Sequence, residues 1–172
     1  MKEDASKATL AVLEEARALL DTLTPLRNDC GRYCAHACCD GSDEEGMLLF
    51  PFEEWFYREP IAGFPFRLLP DHSMAENGKR LVCEGRCHRQ QRPLRCRIFP
   101  LRMAVKQGGG CKAEIDPGAW AVCPLAERGG VRGLQPAFVS TVEQVGALFL
   151  QQSALREALY QEQAFIDEMR RL

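Results

Sequence analysis

The sequence predicts a mainly α fold with a small β-hairpin, and three observations lead to this prediction. Apolar residues recur at helical spacing near both ends of the chain. A run of three glycines separates two short apolar segments late in the chain. Between these regions lie cysteine-rich stretches with neither a helical nor a strand period. The 172 residues, 46% of them hydrophobic, suffice for a single core, so we treat 1–172 as one domain.

The N-terminal segment, residues 4–24, carries the first helical pattern. Its leucines fall on one helical face: Leu10, Leu13, Leu20 and Leu23. Pro25 follows at once, and a proline inside a helix removes a backbone donor and clashes with the preceding turn. We therefore expect the helix to end before it.

Residues 139–171 carry the clearest helical pattern and predict one helix or a helix pair. Ser140 and Glu143 have the spacing of a capping box, which predicts the start of the helix at that point. The segment would divide either at Gly146 or near Ser153.

We assign residues 28–133 to a cysteine-cluster region of mixed local structure. Residues 51–58 predict a short helix with proline at its first position, and the three prolines in residues 60–80 predict an irregular connection. Residues 98–106 and 111–115 flank the three glycines, which adopt positive φ readily, and predict the β-hairpin.

Composition and charge exclude several classes of function. The net charge of −2 gives no reason to expect nucleic acid or an anionic membrane as a partner. No apolar run approaches the roughly 20 residues that span a bilayer. Glu3 and Asp4 stand where a secretory signal would carry basic and then apolar residues. We therefore expect a cytoplasmic protein without a membrane partner.

Nine cysteines in such a chain call for an explanation. Disulfides are rare in the reducing cytoplasm, where clustered cysteines more often bind metal or react. An odd number also leaves at least one thiol outside any complete disulfide set. A disulfide framework remains an alternative if the chain is secreted, but metal binding is the better interpretation.

The spacing of the cysteines narrows the kind of site. No Cys-x-x-Cys pair is present, so the knuckle of zinc ribbons and fingers is absent. Cys38 and Cys39 are adjacent and project in different directions, so they would serve two neighbouring metals, or one would be a supporting or reactive thiol. Nine thiols exceed the four of one tetrahedral site, which leaves a polynuclear cluster or two sites open. Any single cysteine can instead fill the core.

Basic and imidazole side chains accompany the cysteines. Seven arginines lie within residues 79–102: Arg80, Arg86, Arg89, Arg92, Arg95, Arg97 and Arg102. We expect guanidinium groups here to offset the negative charge of thiolates and to donate hydrogen bonds to sulfur. Nucleic-acid binding is the weaker interpretation, because aromatic residues for base stacking are scarce in this stretch. His36 and His88 are possible additional ligands, since imidazole binds zinc and iron.

These residues resemble the YkgJ-type cysteine-cluster family, described as zinc- or iron-chelating domains. The match comprises an opening cysteine run that ends in an adjacent pair, two further cysteines, an RPxxCRxFP motif at Arg92–Pro100, and a late Cys-Pro. The three residues between Cys34 and Cys38, where the family more often has two, depart from the pattern. The resemblance implies eight metal ligands: Cys30, Cys34, Cys38, Cys39, Cys83, Cys87, Cys96 and Cys123. Cys111 has no counterpart and is left out.

The resemblance implies chelation of zinc or iron, the latter in an iron–sulfur cluster, and we expect the cysteine-rich loops to converge on this metal centre. Two alternatives stay open. The first is a metal-dependent enzyme related to flagellin lysine methylases, which carry a similar cysteine pattern, although the Gly-rich fingerprint of a nucleotide or S-adenosylmethionine site is missing here. The second is a thiol redox switch or an interaction protein that docks a partner or a second copy through its C-terminal helix.

Overall fold

The computed structural model describes residues 2–39, 45–85 and 87–171. Within these ranges the chain is mainly helical, with two small antiparallel sheets. The elements are α1 Lys2–Leu19, α2 Gly31–Cys34, β1 Met47–Leu48, β2 Phe66–Pro70, β3 Lys79–Cys83, α3 Leu94–Ile98, β4 Leu101–Val105, β5 Cys111–Ile115, α4 Ala119–Val122, α5 Pro124–Glu127, α6 Pro136–Gln151 and α7 Ser153–Met169. Short 3-10 helices occur at Ala37–Cys39, Glu53–Tyr57, Arg89–Gln91 and Gly130–Gly133.

The main core lies between three long helices and the β4–β5 hairpin. Helix α6 packs against both strands, against α7 and against α1, while α7 covers β4. The fully buried side chains of α6 recur at helical spacing: Phe138, Val142, Val145 and Phe149. Gly146 allows β5 to approach α6, because a Cβ at this position would lie 2.2 Å from the Cys111 sulfur.

The second sheet is smaller and has the strand order β1-β3-β2. Leu81 at its centre pairs with Met47 on one side and Leu68 on the other. Its own core has four buried members: Leu49, Tyr57, Phe64 and Leu81. Tyr57 and Phe64 contact each other edge to face, with ring centroids 6.4 Å apart. This sheet delivers Cys83 to the cysteine-rich region.

The predicted mainly α fold and the β-hairpin are confirmed, while several element boundaries differ. Helix α1 ends at Leu19 rather than at residue 24. The hairpin strand begins at Leu101, because the preceding residues form α3. Residues 60–80 are not an irregular connection: they contain β2 and the start of β3, with Pro70 tolerated at the last position of an edge strand.

The C-terminal segment is a helix pair that divides just before Ser153, which is one of the two positions predicted from the sequence. Gln152 accepts a hydrogen bond from the Leu155 amide and caps α7. The capping box predicted at Ser140 is wrong, since α6 already begins at Pro136 and the Ser140 hydroxyl donates to the Ala137 carbonyl inside the helix. Among the described helices, none combines the length and apolarity needed to cross a bilayer.

Candidate metal centre

The opening cysteine run forms two short turns of helix joined by left-handed backbone. Cys30 precedes α2 and Cys34 ends it, and a 3-10 turn then carries Cys38 and Cys39. Ala35 and His36 connect the two turns with φ values of 50° and 62°. This tight reversal keeps the four thiols in one compact stretch of chain, although they span ten sequence positions.

The second cysteine group comes from three different elements. Cys83 ends β3, and its sulfur donates to the Gly85 carbonyl at 3.5 Å. Cys87 lies in the following loop, and Cys96 lies in the middle of α3. Cys123 stands apart in sequence, at the junction of α4 and α5.

A buried carboxylate holds α3 in place. Glu53 is fully buried and accepts hydrogen bonds from the Phe50 amide at 3.1 Å and from the Leu94 amide at 2.6 Å. Leu94 is the first residue of α3, where backbone N–H groups lack partners within the helix. Burial raises the pKa of Glu53, and both amides together with Arg17 act in the opposite direction. Glu53 thereby positions the helix that presents Cys96.

Arg97, the third arginine of the RPLRCRIFP segment, is a structural cross-link. Its side chain is 2% exposed and donates to the carbonyl oxygens of Arg17, Gln90 and Arg92 at 2.9, 2.6 and 3.0 Å. One guanidinium group thus ties the end of α1 to the loop that precedes α3. Tyr57 contributes a further bond by donating its hydroxyl to the Gln91 carbonyl at 2.9 Å.

Four of the predicted ligands form a mutually interacting set, which we call the inner thiols: Cys39, Cys83, Cys87 and Cys96. Burial raises the pKa of Cys83, Cys87 and Cys96, and in each case other inner thiols raise it further. All six pairs within the set interact electrostatically. The effect is largest at Cys96, whose pKa lies well above that of a free thiol.

The remaining predicted ligands form a second set, the outer thiols: Cys30, Cys34, Cys38 and Cys123. Burial raises the pKa of Cys30, and Asp29, Cys123 and Cys34 add to the effect. A hydrogen bond with Cys39, burial and the neighbouring thiols raise the pKa of Cys38. The Cys38 and Cys39 sulfurs are 4.0 Å apart, so the two sets adjoin at this pair. The Cys38 pKa is therefore raised, whereas a readily oxidised thiol would have a lowered one.

Among the arginines that the structure describes, Arg92 makes the most direct contact with the thiols. It bonds to the Cys87 side chain, which raises the pKa of its guanidinium group, and it interacts electrostatically with Cys39 and Cys96. Its Nη2 also donates to the Cys87 carbonyl at 3.4 Å. This arrangement fits the prediction that guanidinium groups offset thiolate charge.

The other described arginines of the run are mainly engaged with oxygen, which corrects the prediction for them. Carboxylates bind Arg80, Arg95 and Arg102. Arg89 donates to the carbonyls of Leu20 and Arg97. Arg86 lies outside the described residues. Desolvated guanidinium groups need such partners, and in this fold backbone carbonyls and carboxylates supply them.

The described residues hold no ready coordination sphere. No three of their histidine, cysteine or carboxylate side chains are grouped closely enough to hold a metal ion. His36 lies 3.9 Å from Asp29 and packs against Gly31, while His88 precedes the 3-10 helix before Arg92. Cys111 is buried in the main core, away from both thiol sets. The thiols of each set therefore lie near one another, but no three of them are close enough to coordinate one ion.

A cavity of about 460 Å³ opens beside the thiols. Five cysteines line it: Cys38, Cys39, Cys83, Cys87 and Cys96. The lining also includes apolar side chains, among them Phe64, Ile98 and Leu101. All four inner thiols line this cavity, so a small ion or molecule within it would lie beside them.

The sequence did not reveal the supporting residues of this site. Glu53 was visible only as an acid near the start of a predicted short helix, and nothing in its neighbourhood signals a fully buried carboxylate. Asp116 lines the cavity and has a pKa raised by burial, yet in sequence it is an ordinary turn residue before Pro117.

Comparisons with models of protein families, with curated proteins and with solved structures found no match to this chain.

Proposed function

We propose that this protein chelates zinc or iron through its cysteine thiolates, with the inner thiols as the principal ligands. The observation that supports this most strongly is the complete set of pairwise interactions among Cys39, Cys83, Cys87 and Cys96. Four thiolates are the full ligand complement of a tetrahedral zinc site or of one iron–sulfur cluster.

The outer thiols extend the proposal beyond one mononuclear site. They adjoin the inner set at the Cys38–Cys39 pair, with a sulfur separation of 4.0 Å. A tetrahedral site with Zn–S bonds of about 2.3 Å needs sulfurs about 3.8 Å apart, so thiols at this spacing suit a shared or neighbouring metal. The proposal therefore includes either two adjacent sites or one polynuclear cluster.

Local environment supports the same donor set. Burial raises the pKa of Cys87 and Cys96, which favours the neutral thiol at these two positions when no cation is bound. A bound divalent ion would supply that charge, and Arg92 would donate to the coordinated sulfur. The resemblance to the YkgJ-type family points to the same chemistry, and zinc is favoured slightly over iron because it is not redox-active.

The test is elemental analysis and an absorption spectrum of anaerobically purified protein. At least one equivalent of zinc in a colourless sample, or of iron with acid-labile sulfide in a brown one, is the expected result. Less than about 0.1 equivalent of any transition metal, after reconstitution with either ion has also been attempted, contradicts the proposal.

A matched pair of variants tests the ligand assignment. Cys96→Ser is expected to lose at least one metal equivalent, because it removes an inner thiol. Cys111→Ser carries the same substitution into the main core, where it places a hydroxyl among apolar side chains and lowers stability without changing metal content. Equal metal loss in both variants would show that unfolding, not ligand removal, is responsible.

A further inference from the structure

The cavity beside the inner thiols is lined by several arginines as well as by cysteines. Arg92, Arg95 and Arg102 all line it, together with two carboxylates, Glu45 and Asp116. Burial raises the pKa of Asp116, which moves its carboxyl group toward the neutral form. Arg80 lines the cavity as well, so arginines outnumber carboxylates in the wall. Three of the four arginines also pair with carboxylates outside the wall: Arg80 with Asp71, Arg95 with Glu162 and Arg102 with Glu114.

These same arginines hold every buried side-chain nitrogen or oxygen that lacks a hydrogen-bond partner within the described part of the chain. The atoms are Arg92 Nε, Arg95 Nε, Arg102 Nε and Arg102 Nη1. Buried polar groups in folded proteins are almost always paired, and leaving one unpaired costs about 1–3 kcal/mol. All four belong to three side chains that line one cavity, although none of the four atoms is itself exposed at the cavity surface. A ligand in this cavity would satisfy such groups after a small movement of the side chains.

Arg102 carries two of these four unpaired nitrogens. Its side chain is 1% exposed, and its Nη2 donates to Glu114 at 2.9 Å and to Gln163 at 3.0 Å. Glu114 is shared with Lys112 and Arg170, at 2.7 and 3.4 Å, so one carboxylate serves three cations. Arg102 thus shares its carboxylate with two other cations and keeps two unpaired N–H groups.

We propose that this cavity binds a small organic carboxylate with an apolar body, whose carboxylate accepts hydrogen bonds from Arg102 and its neighbours. Carboxylate oxygens match the guanidinium fork in shape and charge. Both unpaired nitrogens of Arg102 lie behind the cavity surface, so contact requires a small movement of this side chain toward the ligand.

The remaining lining fits the rest of such a molecule. Apolar side chains cover the wall: Phe64, Leu81, Ile98, Phe99, Leu101 and Val122. The volume of about 460 Å³ lies within the range of about 300–1,000 Å³ that is usual for small-molecule sites. The inner thiols line the same space, so a bound molecule lies next to the proposed metal centre. The carboxylate site itself uses no thiol and does not depend on metal binding.

Calorimetric titration with two matched probe pairs tests this inference. The probes are octanoate against octanamide, and 3-phenylpropionate against its amide, each titrated into metal-free and metal-loaded protein. At least one carboxylate is expected to bind with a Kd of about 1 mM or tighter and about tenfold more tightly than its amide. The preference is expected in both protein forms.

Two variants and a control locate the binding. Val122→Glu places a negative charge on the cavity wall at a position that is 39% exposed, so folding is little affected, and carboxylate affinity is expected to fall at least about tenfold. Tyr160→Glu introduces the same charge on α7 at an exposed position that does not line this cavity, and it should leave affinity unchanged. Arg102→Gln is expected to abolish the preference for carboxylate over amide.

Several outcomes would overturn the inference. One is equal affinity for carboxylate and amide in both pairs, and another is no binding of either carboxylate up to about 10 mM. Equal weakening by Val122→Glu and Tyr160→Glu would show general charge repulsion rather than a site. Because metal content is measured independently, loss of the proposed metal function and loss of carboxylate binding are distinguishable results.

Discussion

Two regions of this protein are held together in different ways. The helical scaffold, comprising α1, α6, α7 and the β4–β5 hairpin, buries a continuous apolar core that includes Phe138 and Phe149. The cysteine region, residues 28–39 and 79–99, consists of short helical turns and one strand. Buried polar side chains connect its segments to the scaffold: Arg97 donates to the Arg17 carbonyl in α1, and Glu53 lies 3.7 Å from the Arg17 guanidinium group. Apolar burial dominates the first region, whereas the second adds directed polar bonds to the contacts that Leu94 and Ile98 make in the same core.

This difference indicates where a bound metal would contribute to stability. Short helices are unstable alone because nucleation costs more than a few hydrogen bonds return. A metal that links Cys39, Cys83, Cys87 and Cys96 would close loops between segments that are distant in sequence, and its binding free energy would add to folding. The scaffold needs no such link.

Metal removal should therefore destabilise the cysteine region while leaving the scaffold folded, and this is the largest effect we expect. Chelation should lower the free energy of unfolding of the cysteine region by about 5 kcal/mol or more, because structural metal binding is worth at least this much. Hydrogen exchange should accelerate in residues 79–99 while α6 stays protected. Uniform acceleration along the whole chain would mean that the regions unfold as one unit.

Phe138→Ala should destabilise the scaffold instead. The side chain is fully buried in the main core, and removing it is expected to cost about 3–5 kcal/mol of the free energy of unfolding. Metal content per folded molecule should not change, which elemental analysis at a temperature below the transition can establish. Loss of metal from the folded variant would contradict the separation of the two regions.

Glu53→Gln should weaken the connection between them. The amide has one acceptor oxygen for the two backbone N–H groups that Glu53 now satisfies, so the Phe50 or the Leu94 amide would face an NH₂ group. The expected cost is about 1–3 kcal/mol in urea denaturation, with weaker metal binding because α3 carries Cys96. Glu54→Gln, one position further on, is the matched control and should leave metal affinity unchanged.

Asp71→Asn should give the smallest effect, confined to the second sheet. Hydrogen bonds from Ser73, with a contribution from Arg80, lower the pKa of Asp71 to about 2. Arg80 is partly exposed, so we expect the pair to contribute only about 1–2 kcal/mol.

The pH dependence of this contribution follows from the lowered pKa. The carboxylate stabilises the folded state fully above the unfolded-state pKa near 3.8, and the contribution is lost as pH falls toward 2. The stabilities of metal-free wild-type and Asp71→Asn protein should therefore differ at pH 6, differ less as the pH falls below 3.8, and converge at about pH 2. A constant difference across this range would exclude Asp71 ionisation as the cause.

The structure confirms the parts of the fold that have a strong local signal. The C-terminal helices and the hairpin carry repeated apolar positions and a glycine turn, which specify structure without long-range contacts. The β2–β3 pair was missed because its strands are short and its prolines resemble loop residues. Pairing with β1 and burial of Leu81 decide that segment, and these are contacts between distant residues.

For the candidate site, the sequence by itself determined the donor chemistry: cysteines in excess of one tetrahedral site, among arginines, with Cys111 set apart. Only the tertiary structure decided that Cys39, Cys83, Cys87 and Cys96 interact as one set, that Glu53 anchors α3, and that three arginines with unpaired nitrogens share a cavity with the thiols. The physical reason is that residue type sets what an atom can bind, whereas burial and the approach of distant segments set which partners it meets.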